Sequence, residues 1–342
     1  MTKQDTGNNS ESSRNVSGRE NDFFDKIGKK IFRKNNKNGN GILNANKKRK
    51  LFIIAMLAIP VANWLVFWLF VNIQSIALAF QDSRTGSFSF ANFADVWDLV
   101  VRPVNNELGI SLINTLKYFW LAVLVIMPLC LIVSYFFYKR IAGYKAFRII
   151  FYFPAIISSV VMVTAFSEFV SPSGPWGEIQ RALGVTPNPV SPLSRYETAT
   201  RTILIYCVLV GLTTNVLLFT SGMSRIPVEV LEAAKLDGIG PVRELVNILF
   251  PLIWPTFSTQ IIFAMTGLFN SSGPILLFTG GNYDTSTISF WIFKQMYGTD
   301  GMGPSGGAYN LVSATGLCCT LIGVPLVLFA RKLIEKIDNV EY

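Results

Sequence analysis

The chain has 342 residues, is 51% hydrophobic and has a mean hydropathy of +0.41. That much apolar sequence excludes an ordinary soluble domain and calls for lipid around much of the surface. The net charge of +9 is concentrated at the start, where residues 1–50 hold 13 Lys/Arg against 5 Asp/Glu; histidine, the commonest acid–base catalyst and metal ligand, is absent.

Residues 1–50 form a basic tail. Beside a membrane span, such a tail suits the anionic inner leaflet of a membrane better than a nucleic acid. Residues 1–20 are rich in Asn, Ser, Gly and charge and are expected to be disordered. Within 22–34, Phe24, Ile27 and Ile31 recur at helical spacing beside Lys26, Lys29, Lys30, Arg33 and Lys34. Both an interfacial helix and a solvated tail with chance periodicity fit that pattern. Lys47-Lys48-Arg49-Lys50 then anchors the first apolar segment, which starts only at Leu51, too late for a cleavable signal peptide.

Residues 51–342 read as a transmembrane domain. A span needs roughly 20 apolar residues. Six segments qualify: about 52–80, 111–138, 148–170, 202–221, 250–278 and 309–331. The chain is thus expected to be an all-α membrane protein with six spans. Pro154, Pro251 and Pro255 fall inside spans, where neighbouring helices re-satisfy the backbone. Cys130, Cys207, Cys318 and Cys319 lie in apolar runs without metal-site spacing and read as small buried hydrophobes. No metal ligand set and no catalytic constellation is found. Alternating the spans from a cytoplasmic N-terminus puts 14 Lys/Arg near the inner face and 7 near the outer one. The positive-inside rule therefore places both termini, and the loop 224–250, in the cytoplasm.

That loop is the most informative stretch. Ser224 is read as a cap and Pro227 as a first-turn residue. Glu229 and Glu232 suit the positive end of a short helix, and Ala233 and Ala234 favour helix with little bulk. Gly238 can adopt the left-handed geometry that ends a helix, and Gly240-Pro241 restarts the next. Glu232 and Asp237 are then placed to meet Arg or Lys on a partner.

Glu232-Ala233-Ala234, Asp237-Gly238 and Phe250-Pro251 together resemble the shared loop of the membrane subunits of binding-protein-dependent ABC importers, with Phe250 where Leu is usual. From about Leu51 onward the chain is most similar to the maltose-type sugar branch. Ser111-Leu112-Ile113-Asn114-Thr115-Leu116, Phe147 to Pro154, Gly177-Glu178-Ile179, Thr279-Gly280-Gly281 and Thr285 carry that resemblance.

The resemblance implies the type I importer permease fold, with a cytoplasmic coupling helix between spans 4 and 5. It implies a bacterial cytoplasmic membrane and a second homologous permease. Two ATPase subunits, or one homodimeric ATPase, would grip Glu232, Ala233, Ala234, Asp237 and Gly238. A solute-binding lipoprotein would deliver a carbohydrate from outside. The chain lacks a G-x-x-x-x-G-K-[ST] loop, so ATP and magnesium belong to the partner subunits and this subunit is not an enzyme. In sugar-binding relatives, ligand contacts come from spans 4 and 5, which implies a path past Gly211, Thr214, Gly267 and Asn270; Asn215, a polar residue inside span 4, is a further candidate. Packing through small and hydroxyl residues accounts for the same residue types.

Two other classes compete. An ion-coupled carrier of a small polar solute needs acidic or histidine residues at mid-membrane, where the chain offers only Glu168, near a span end. A membrane scaffold would not need the polar residues of spans 4 and 5.

Overall fold

The structure, a computed structural model, describes residues 49–82, 85–102, 107–298 and 308–336. The basic tail before Arg49, the 22–34 segment and the side chain of Thr214 lie outside the described set. The chain divides into two units, one ending at Gln74 and one starting at Ser75. The described part of the first is most of helix α1, Arg49–Ala79, whose apolar side chains up to Ala77 are exposed except for the half-buried Leu69. Trp64 and Trp68 stack on this helix with ring centroids 5.1 Å apart.

The second unit is helical. Its elements are α2 (Ala91–Val101), α3 (Glu107–Tyr138), α4 (Tyr144–Ile156), α5 (Ser159–Phe169), α6 (Pro175–Ala182), α7 (Ala199–Met223), α8 (Val228–Leu236), α9 (Pro241–Thr266), α10 (Ile275–Phe278), α11 (Ile288–Tyr297) and α12 (Ala308–Ile334). Among the described residues five helices, α1, α3, α7, α9 and α12, are long and apolar enough to cross a membrane, and the number is six if the bent pair α4 and α5 counts as one span. Four of the expected spans coincide with α1, α3, α7 and α12 within a few residues.

Two expectations are corrected. The third span is not a single helix: α4 and α5 are bent by 107°. The break is not at Pro154, which α4 absorbs, but at Ile157 and Ser158, whose backbones are extended. Serine competes for backbone hydrogen bonds and favours helix starts, so a new helix begins at Ser159. The fifth span does not run to residue 278. It starts at Pro241 and stops at Thr266, and residues 267–274 are irregular before α10. Gly267 ends the helix, and its carbonyl accepts bonds from the N–H groups of Asn270 and Ser271 at 3.0 Å. Gly273, at φ +55°, then turns the chain.

The core lies between α3 and α7. Ser134 donates to the Val216 carbonyl at 3.0 Å, and Cys130 donates to that of Leu212 at 3.7 Å. A Cβ on Gly211 would lie 3.0 Å from Cδ1 of Ile126, so this glycine lets the two helices approach closely. Ile126, Tyr135, Phe137, Val216, Phe219, Met223, Leu249 and Ile253 form one buried cluster with Leu231 of α8. The short helix therefore does not float; its inner face belongs to the same core as the spans. The four cysteines are all free.

Candidate coupling loop and cavities

The short helix α8 forms where the loop composition places it, with different caps. Ser224 ends α7, donating to the Thr220 carbonyl at 2.8 Å, and does not cap α8. Pro227 occupies the N-cap position with an extended backbone (ψ 139°), and the helix begins at Val228. Ile226 just before it is buried in the core, and residues 224–226 form the turn and bend between the two helices.

The other end closes as the glycine requires. Gly238 takes φ +69°, its N–H bonds the Lys235 carbonyl at 3.1 Å, and the Ile239 N–H bonds that of Ala234 at 3.1 Å. This pair of bonds is the Schellman closure, which needs a left-handed residue.

Leu231 and Ala234 face the core. Glu229, Glu232, Ala233, Asp237 and Gly238 are exposed, and Leu236 beside them is 89% exposed. Glu229 stabilises the positive end of the helix, but Asp237 sits at the negative end, where the dipole disfavours it. Its carboxylate therefore does not serve the helix. An exposed leucine flanked by carboxylates and small residues is a face suited to a protein partner.

A residue pair that the loop motif does not reveal secures the base of this element. Lys139 ends α3, and its Nζ lies 2.5 Å from Oε1 of Glu244 and donates to Oε2 at 2.8 Å. The approach to Oε1 is a charge contact outside hydrogen-bond geometry. Glu244 is 3% exposed and belongs to the first turns of α9. The pair joins a cation at one helix C-terminus to an anion at another helix N-terminus, so both macrodipoles favour it. Removing one partner would strand a buried charge, which costs about 3–5 kcal/mol.

At the opposite end of α3, the Ser111 to Leu116 motif holds the 279–287 loop. Asn114 donates to the carbonyls of Asp284 (2.6 Å) and Ser286 (3.0 Å), and Thr115 Oγ1 accepts from the Ile288 N–H at 3.0 Å. The motif stands out in the sequence only through the family resemblance, which carries no sign of these bonds.

The residues proposed for a solute path are partly brought together. Two cavities, of about 300 and 470 Å³, share Cys207 and Gly273 in their walls. Gly267 lines the first with Tyr118 and Ser271, and Gly211 lines the second with Tyr206 and Ser272. Irregular backbone at membrane depth is tolerated where it is buried in protein or lines a cavity; within 267–274, Gly267, Leu268, Ser271, Ser272, Gly273 and Pro274 line these cavities. Asn215 and Asn270 line neither cavity. The Asn215 amide donates to the Gly211 carbonyl at 3.0 Å, and Asn270 is exposed, its carbonyl accepting from Ser289 at 3.2 Å. Thr214 is on α7 between Gly211 and Asn215. Among the described residues, no group of His, Cys, Asp and Glu is arranged to hold a metal ion.

The described residues are thus those of a helical membrane protein with an exposed short helix between two apolar spans. The family model described as "Binding-protein-dependent transport system inner membrane component" matches residues 110–339, and the chain belongs to that family. It is 24% identical over 245 residues to the multiple sugar-binding transport system permease protein MsmF of Streptococcus mutans serotype c, covering 70% of this chain and 82% of that protein. It is 23% identical over 216 residues to the arabinooligosaccharides transport system permease protein AraP of Bacillus subtilis, covering 61% of this chain and 66% of that protein. The fold matches a chain of a bacterial ABC transporter involved in the import of the acidic polysaccharide alginate, with a TM-score of 0.72 and 21% identity over 86% of this chain and 98% of that one.

Proposed function

We propose that this permease carries an oligosaccharide through a bacterial cytoplasmic membrane, driven by ATP hydrolysis on separate subunits. Both termini and the 224–250 loop face the cytoplasm in this reading. A second, homologous permease completes the pore, and an extracytoplasmic solute-binding protein delivers the sugar.

The observation that carries the reading is α8 itself. It is anchored by Leu231 and Ala234 and presents Glu232, Ala233, Leu236 and Asp237 outward. An ATPase groove lined with Arg or Lys would match that face. Glu232, Ala233, Ala234, Asp237 and Gly238 are thus the coupling residues, with Ala234 acting from the inner side. Gly211, Thr214, Asn215, Gly267 and Asn270 remain the proposed solute path, with Gly267 and Gly211 in the walls of the two cavities. Support for a saccharide comes from MsmF, AraP and the alginate importer, which are described as sugar or polysaccharide transport proteins. A solved complex of the alginate transporter contains an alginate pentasaccharide-bound periplasmic protein, which supports a binding-protein partner here.

Reconstitution tests this. The complex of both permeases and the ATPase in proteoliposomes should take up a labelled oligosaccharide only with ATP and the binding protein, and a proton uncoupler should leave uptake unchanged. Uptake by this chain alone, driven by a proton gradient, would replace the ATP-driven reading with an ion-coupled carrier.

A further inference from the structure

Glu244 is the one carboxylate buried among the described residues, and its ion pair with Lys139 has no role in the function proposed above. Its position gives it one. Between α8 and Glu244 the chain passes through Gly238 and Gly240, and a Cβ at either would meet nothing within 4 Å. Neither glycine packs against another element, so a push on α8 finds no route into α9 through contacts at these two positions. It is passed through Leu231, which shares the core cluster with Tyr135, Phe137 and Leu249, and through the base of α9, which Glu244 ties to Lys139.

Onward transmission along α9 is interrupted, because that helix stops at Thr266 and gives way to the irregular 267–274 stretch. Helix α3 is continuous from Glu107 to Tyr138. From Lys139 to Thr115 it spans roughly 36 Å at 1.5 Å per residue. Its far end is fastened to the 279–287 loop by Asn114 and Thr115. One helix is therefore fixed at one end to the base of the short-helix element and at the other to a loop on the opposite side.

We propose that Lys139 and Glu244 are positioning residues of the transport cycle. Their ion pair locks the base of α9 to α3, so that displacement of α8 by the ATPase is delivered through α3 to the 279–287 loop, the side on which the solute-binding protein docks. This inference rests on the ATP-driven reading above.

The experiment uses the complete complex, with partner permease, ATPase and binding protein, in proteoliposomes. Asn282→Cys, at an exposed position in the loop, is labelled with a membrane-impermeant maleimide before and after trapping with ATP and vanadate. The same complex without Asn282→Cys gives the background from the four native cysteines. With the pair intact, trapping should change the labelling rate by at least about fivefold, the lower end of ordinary coupling energies. Glu244→Gln and Lys139→Met should reduce that change to less than about twofold in assembled complex, whereas Lys139→Arg should retain it.

An undiminished change in Glu244→Gln and Lys139→Met would overturn the proposal. Should Glu244→Gln fail to assemble, Glu244→Asp carries the test by the same criterion, since it keeps the charge but withdraws it from Lys139 by one methylene. No response to ATP and vanadate in the unaltered complex would overturn the ATP-driven reading itself, an outcome distinct from a response that ignores the pair.

Discussion

Asn114 lies on α3 and its side-chain amide donates to the backbone carbonyl of Asp284 at 2.6 Å, across 170 residues of sequence. Asp284 has a left-handed backbone, φ +57°, as does Tyr283 before it. Thr200 of α7 bonds the same carbonyl at 3.3 Å. Side chains from two spans thus hold a strained turn whose own residues would not choose that geometry. Asn114→Ala would remove the amide donor from the Ser286 carbonyl and leave the Asp284 carbonyl only the longer bond from Thr200, in a site where Asn114 is 1% exposed. The expected loss is about 2–4 kcal/mol, from two unmade bonds. Thermal unfolding of the detergent-solubilised complex should show it; a melting temperature equal to that of the unaltered protein would mean that the loop is held by other contacts.

Gly238 makes a second prediction. At φ +69° a β-branched side chain is strained, although nothing crowds the site. Gly238→Val should cost about 1–2 kcal/mol locally and loosen the Schellman closure of α8. Because the helix is exposed, insertion into the membrane should be unaffected. The quantity to measure is sugar imported per ATP hydrolysed, expected to fall about tenfold, with Glu232→Lys falling similarly through lost charge pairing. Full coupling in both variants would remove α8 from the power stroke.

The two adjacent glycines of the 279–287 loop form an internal comparison. Gly280 (φ +59°) has open space around a built Cβ, whereas at Gly281 (φ +82°) the Cβ would lie 2.4 Å from Cε1 of Phe290. Phe290 is itself buried, at 3% exposure, and cannot step aside cheaply. Gly280→Ala should therefore cost only the backbone strain, about 1 kcal/mol, and Gly281→Ala the strain plus displacement of a core ring, about 2–4 kcal/mol. Melting curves of the two variants are the check. Equal shifts would show that strain alone governs the loop.

Gly211 yields a prediction with a built-in rescue. Gly211→Val would drive its side chain into Ile126, only 3.0 Å away at Cδ1, and push α7 off α3. A loss of about 1–3 kcal/mol and reduced uptake are expected. Ile126→Ala in the same chain should recover stability by making room. If the double variant transports no better than Gly211→Val, this glycine acts on the solute and not on helix packing.

Most of the architecture was legible from local composition. Each of α1, α3, α7 and α12 is a long apolar run, and lipid rewards that property residue by residue, whatever the partner helices are. The short helix α8 was legible for a similar reason: Glu229, Ala233, Ala234 and Gly238 act through helix dipole, propensity and left-handed closure, all of them short-range effects. Its caps were not legible: Ser224 ends α7, and Ile226 is buried in a core formed by residues distant in sequence. The bend at Ile157 and Ser158 escaped for the converse reason: Pro154 gives a strong local signal that the surrounding helix accommodates.

What the amino-acid order determined by itself is therefore a membrane protein of six apolar stretches with one polar, capped helix between the fourth and fifth, since lipid burial and helix capping depend on neighbours within a few residues. Only the tertiary structure decided that α9 stops at Thr266, that Lys139 meets Glu244 across 105 residues, and that Asn114 reaches Asp284. Those outcomes depend on which surfaces packing brings within hydrogen-bond range, and no periodicity or composition along the chain encodes a distance between separate helices.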